Sequence, residues 1–172
     1  PPKDHGAGGE PVLSLRSGGV VVGYFAKGIF RVLRPDGAVD ERFAPIARES
    51  WDETWTWRES PEGEISALVR SPSWTKLRII RMAPGGAQRP VIHLPESSWN
   101  GVLWLSDGSF LGSQGWGWEA ITTRYLPDGS VDPQFKPVPG RVLFALPDDR
   151  ALILQSSLLR LVRENGETED FR

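Results

Sequence analysis

Short apolar runs separated by glycine-bearing turns fill nearly the whole chain. Val12-Leu13-Ser14-Leu15 and Val20-Val21-Val22 flank Ser17-Gly18-Gly19, and Phe25 to Leu33 leads into Pro35-Asp36-Gly37. Leu13 with Leu15, Val102 with Trp104 and Phe144 with Leu146 fall at period two, the spacing of a strand with one buried face. Val20 to Val22 and Ala151 to Leu154 are continuous, as in strands buried on both faces. The pattern predicts many short strands.

The turns recur in two series. One is Pro35-Asp36-Gly37, Pro84-Gly85-Gly86, Pro127-Asp128-Gly129 and Glu164-Asn165-Gly166. The other is centred on Gly19, Gly63, Gly108 and Asp149. Pro presets φ, Asp or Asn bonds the nearby backbone, and Gly accepts positive φ, so each tripeptide is a hairpin turn. Both series repeat at roughly 40–45 residues, the period of a four-stranded propeller blade. The expected fold is all-β and β-propeller-like, with about four blade repeats. It is either a complete small propeller or part of a larger ring; the alternative is a β-sandwich with coincidental turns. Residues 1–10 are Gly-rich and expected to be flexible. Residues 11–172 then form one repeat domain, with units near 11–48, 49–96, 97–138 and 139–172.

The fullest copies, VLRPDGAVDERF and RYLPDGSVDPQF, resemble the delta-60 repeat of bacterial β-propeller-like proteins. Arg124, Pro127, Asp128, Gly129, Ser130, Asp132 and Phe135 carry the likeness in one copy. Pro35, Asp36, Gly37, Asp40 and Phe43 carry it in another, with the Arg one place early at Arg31. Copies two and four depart: Gly85 stands for Asp, Glu164 for Pro and Arg172 for Phe, although Gly86 and Gly166 keep the turn. The resemblance implies the fold and a bacterial source, and almost nothing about activity, because propellers host many functions.

Composition narrows the function classes. Net charge is −2, which gives no support to nucleic-acid or anionic-membrane binding. No apolar run approaches the roughly 20 residues of a membrane span, so a soluble protein is expected. The chain lacks cysteine, which removes thiol nucleophiles and leaves the redox compartment open. It also lacks an initiator Met, as expected of a processed chain or a segment of something longer.

Candidate chemistry is sparse. Asp40 and Asp132 follow the turns without the converging oxygens that calcium needs, so no metal or other cofactor is expected. His93 sits alone in Pro90-Val91-Ile92-His93-Leu94-Pro95. The acids Glu49, Asp52, Glu53, Glu59, Glu62 and Glu64 read as a solvated run, so no catalytic residue is assigned. The unusual feature is tryptophan, with eight in the chain. Trp57 and Trp104 align with core positions. Trp51, Trp55, Trp74, Trp99, Trp116 and Trp118 are the candidate binding surface, since Trp dominates interface hot spots. The leading expectation is a non-enzymatic module that binds a protein partner through loop faces and exposed Trp and Arg. Carbohydrate binding in Trp-lined pockets is one alternative; it predicts Trp116 or Trp51 exposed beside Asp or Asn in a concave site. Structural blades of a larger propeller or assembly, including a homodimer, are the other.

Overall fold

The computed structural model describes residues 10–24, 29–47, 54–71 and 73–171. Among them, strands pair into four antiparallel sheets of four strands each, every sheet in simple chain order. The first contains β1 (Glu10–Ser14), β2 (Val20–Tyr24), β3 (Ile29–Leu33) and β4 (Ile46–Ala47). The second contains β5 (Thr54–Glu59), β6 (Ile65–Arg70), β7 (Leu77–Met82) and β8 (Ile92–His93). The third contains β9 (Trp99–Trp104), β10 (Phe110–Gln114), β11 (Ile121–Tyr125) and β12 (Val138–Pro139). The fourth contains β13 (Arg141–Ala145), β14 (Ala151–Gln155), β15 (Leu158–Val162) and β16 (Thr168–Asp170).

Both turn series adopt one geometry. In the later series the Gly N–H donates back three residues, as in Gly37 to the Arg34 carbonyl and Gly129 to the Leu126 carbonyl. The flanking pair closes with Arg34 N–H to the Ala38 carbonyl and Leu126 N–H to the Ser130 carbonyl. The first series repeats this at Leu105, Gly108 and Ser109 and at Leu146, Asp149 and Arg150. Asp36, Asp128 and Asn165 each accept from the N–H two residues on, so they are turn formers. One expectation needs correction. The left-handed residue of the first turn is Gly18, with φ 82°, and not Gly19. Gly19 instead lies where an added Cβ would stand 2.5 Å from the Leu33 carbonyl oxygen.

The chain divides into two compact units. The first is Pro1–Asp52, Trp57–Ala67 and Ile80–Pro90; the second is Glu53–Thr56, Leu68–Ile79 and Val91–Arg172. In the first unit Phe30 packs against Trp57, ring centroids 5.0 Å apart, and Glu59 accepts from the Arg16 N–H. In the second unit one apolar cluster joins Leu68, Leu77, Ile79 and Leu94 to Trp99, Phe110 and Tyr125. Another joins Leu105, Leu111, Phe135 and Val138 to Val142, Ala151, Ile153 and Val162. The third sheet is therefore buried on both faces.

Phe144, expected with Leu146 on a buried strand face, is exposed. A bulge between Val142 and Phe144 places Val142 opposite Ile153 and Phe144 opposite Leu152. The extra residue sends these two side chains to opposite faces. Val142 is buried, whereas Phe144 is 64% exposed. The first sheet has the same bulge between Pro11 and Leu13.

Candidate functional site

Three hairpin ends and two strand starts meet at a cavity of about 620 Å³ in the second unit. The β6–β7 loop supplies Trp74, and the β10–β11 loop supplies Trp116 and Gly117. The end of β14 and its turn supply Leu154, Ser156 and Ser157, while β9 and β13 add Asn100 and Arg141.

Local sequence explains why Trp116 projects. Gly115 and Gly117 both take positive φ, 93° and 57°, and a single 3₁₀ turn over Gly117–Glu119 follows. The Gly115 N–H donates to the Ser98 carbonyl, and the Asn100 Nδ2 donates to the Gly115 carbonyl at 2.5 Å. The loop is pinned at its base while its indole is 58% exposed.

Trp74 and Trp116 stack, with centroids 5.2 Å apart and planes at 21°. The Arg70 guanidinium lies 4.0 Å from the centroid of the Trp74 ring. Arg70 also donates to the Trp99 carbonyl, and the Trp99 N–H donates to the Trp74 carbonyl. A cation and two indoles thus form one braced stack. Trp74 holds φ 62° and Ser156 φ 57°, both left-handed. This conformation costs an L-residue about 1–2 kcal/mol, and such strain gathers at functional sites.

Asn100 adds a polar group. Its Nδ2 is used by Gly115, and its Oδ1 is buried with no hydrogen-bond partner. Such an acceptor costs about 1–3 kcal/mol unless something donates to it. Arg141, Ser156 and Ser157 supply further donors and acceptors around the opening.

The expected site residues are distributed unevenly. Trp74 and Trp116 are brought together. Trp99, expected at the surface, is fully buried: its ring lies over Gly112, where an added Cβ would stand 2.6 Å away, and packs on Tyr125 at 5.5 Å. Mid-strand Gly112 was the available signal for a close ring. Trp51 lies outside the described residues, as do the side chains of Trp55 and Trp118. Trp57 and Trp104, assigned to the core, are partly exposed; the Trp104 Nε1 donates to the Thr56 carbonyl. Sequence reading did not single out Asn100, Arg141 or Ser156, because nothing local distinguishes them from strand-end polar residues.

Several of the described carboxylates are engaged in structure. The Asp40 carboxyl is lowered, chiefly by hydrogen bonds from the Arg42 side chain. Burial pushes Asp107 up, but Ser109 and Arg124 outweigh it and hold it below the ordinary value. Glu62 is lowered as well, chiefly by its own backbone N–H, and Glu64 pairs with Arg89 at 2.6 Å. None of these shifts is the upward one that a general acid needs. Among the described residues, no three His, Cys, Asp or Glu group together as metal ligands, and no helix is long and apolar enough to cross a membrane. His93 is exposed in β8.

No protein-family model matches the chain, and no curated protein matches it in sequence. Solved structures match its fold. A protein of unknown function from Bacteroides caccae aligns with TM-score 0.61 at 14% identity, over 94% of this chain and 60% of its own. Virginiamycin B lyase from Staphylococcus aureus aligns with TM-score 0.61 at 14% identity, over 96% of this chain and 56% of its own. BBS1N, solved in complex with ARL6DN, aligns with TM-score 0.56 at 17% identity, over 88% and 50%. At these identities the likeness is one of fold. The chain spans less than two thirds of the length of these structures.

Proposed function

We propose that this chain is a set of β-propeller blades of the delta-60 type, acting as a non-enzymatic binding module whose ligand is a carbohydrate. The observation that carries this reading is the stack of Trp74 and Trp116 beside Asn100 in one cavity, with Arg70 against the Trp74 ring. The open face of Trp116 offers an apolar plane to the C–H face of a sugar ring. Arg141 and the two serines offer the hydrogen bonds that hydroxyls require. A flat apolar wall with a few convergent polar groups is the usual anatomy of a small-ligand site. The test is tryptophan fluorescence titrated with a glycan panel, on the native chain and on Trp116→Ala. A saturable change with some glycan, lost in the variant, is expected; no response to any sugar removes the reading.

Recognition of a protein partner is the second reading. Exposed Phe144, Leu159 and Phe171 favour it, as does the capture of BBS1N with ARL6DN on a similar fold. The virginiamycin B lyase likeness supports no lyase activity here, since at 14% identity it carries fold alone.

A further inference from the structure

The fourth sheet differs from the sheets before it on one face. Strands β6 and β10 are buried along nearly their whole length, on both faces. Strand β14 is buried on one face only: Ala151 and Ile153 are fully buried, while Leu152 and Leu154 are partly exposed. The register shows what lies on the uncovered face. Phe144 pairs with Leu152, Leu152 with Leu161, and Leu154 with Leu159. Phe171 joins them, its N–H donating to the Leu159 carbonyl. Phe144 is 64% exposed, Phe171 49% and Leu159 40%, an apolar patch with Leu161 buried within it and Arg141 and Glu169 at its ends.

The internal repeat identifies what this face fits. Phe144 paired with Leu152 corresponds to Leu103 paired with Leu111 in the third sheet. There the same positions are covered by the fourth sheet, through Val142, Ala151, Ile153 and Val162. The first sheet carries that covering set again. Val20 pairs with Leu33 and Val22 with Arg31, as Ala151 pairs with Val162 and Ile153 with Arg160. The opposite face of the first sheet holds Val21, Val32 and Phe30, the last already packed on Trp57.

We infer that the outer face of the fourth sheet is an interface for a second copy of this chain, whose first sheet lies on it as the fourth sheet lies on the third. This is a head-to-tail contact between unlike surfaces, so each copy offers one half of it. Burying a Phe144-centred patch removes apolar area of the kind that monomeric proteins rarely leave open.

The test is molar mass by light scattering over a concentration series. The native chain is expected to rise above the 19.1 kDa of one copy. Phe144→Glu and Leu33→Glu are each expected to stay at one-copy mass, and their mixture to regain a two-copy species, since each keeps the half that the other lost. Circular dichroism checks that both variants fold. Should Leu33→Glu unfold, the absence of native cysteine allows a direct alternative. Phe144→Cys mixed with Leu33→Cys is expected to give an oxidised heterodimer in preference to either homodimer. A native chain that stays at 19.1 kDa throughout overturns the interface. So does a folded Leu33→Glu that still assembles, or a cysteine mixture with no preference for the heterodimer.

Discussion

Arg124 Nη2 donates to the Asp107 carboxylate at 2.6 Å, across 17 residues of chain. The same guanidinium reaches the Ser109 hydroxyl at 3.0 Å, the Glu164 carbonyl at 3.0 Å and the Asp132 carboxylate at 3.5 Å. One strand residue therefore ties both turns of the third sheet to a turn of the fourth. This gives a physical reason for Arg three places before Pro127-Asp128-Gly129. In the first sheet Arg31 stands one place early, opposite Val22, and so on the other face, where it cannot form this clamp.

Removing the clamp is expected to destabilise the chain. The Arg124 side chain is only 14% exposed. Arg124→Ala strands two carboxylates and a carbonyl, for an expected loss of about 2–3 kcal/mol in urea unfolding. Arg124→Lys recovers part of that, because an ammonium cannot reproduce the fork. A loss below about 0.5 kcal/mol for the alanine variant, the range of ordinary surface substitutions, shows the network to be ornamental.

Acid sensitivity follows from the lowered carboxyls. Asp107 is held below the ordinary aspartate value of 3.8 by Ser109 and Arg124, against the upward push of burial. Asp40 is lowered through Arg42. A group whose folded pKa is depressed contributes stability above its unfolded pKa and loses it as pH falls through the folded value. Thermal unfolding is thus expected to be flat with respect to these groups at neutral pH and to fall below about pH 4. Asp107→Asn should be less stable than the native chain at pH 7, with the gap closing in acid. A gap that widens in acid contradicts the assignment.

Two turn glycines are expected to respond differently to Ala. Both Gly37 and Gly86 hold positive φ, 79° and 90°. An added Cβ at Gly37 meets nothing within 4 Å, whereas at Gly86 it would stand 1.8 Å from the Arg42 carbonyl oxygen. Gly37→Ala should cost about 1 kcal/mol from left-handed strain alone. Gly86→Ala should cost about 3 kcal/mol, since backbone must move as well. Equal chemical-denaturation midpoints for the two variants contradict this difference.

The indole stack is expected to separate binding from stability. Trp116→Ala should cost less than about 1.5 kcal/mol, the value of an aromatic pair, because the ring is largely exposed. The glycan response should nevertheless vanish. Trp74→Gly relieves left-handed strain but removes the central ring, so stability should change by only about 1 kcal/mol while binding is lost. Unchanged binding in both variants shows that the cavity is not the ligand site.

Local chemistry in the sequence was enough to determine the turns and the strands between them. Pro-Asp-Gly and its variants can satisfy their backbone bonds in few ways, so all the described copies take one geometry, and the repeat period follows. The backbone partners of Asp36, Asp128 and Asn165 are two residues away, which is why their structural role was legible. Tertiary structure decided the rest. Phe144 lies on the face of the fourth sheet that no described neighbour covers, and a side-chain-free Gly112 drew Trp99 into the core. Asn100, Arg141 and Ser156 became neighbours of Trp74 and Trp116 only because three sheets bring their hairpin ends together. That convergence spans long stretches of chain and leaves no periodic trace in the sequence, so the candidate site became visible only in the folded molecule.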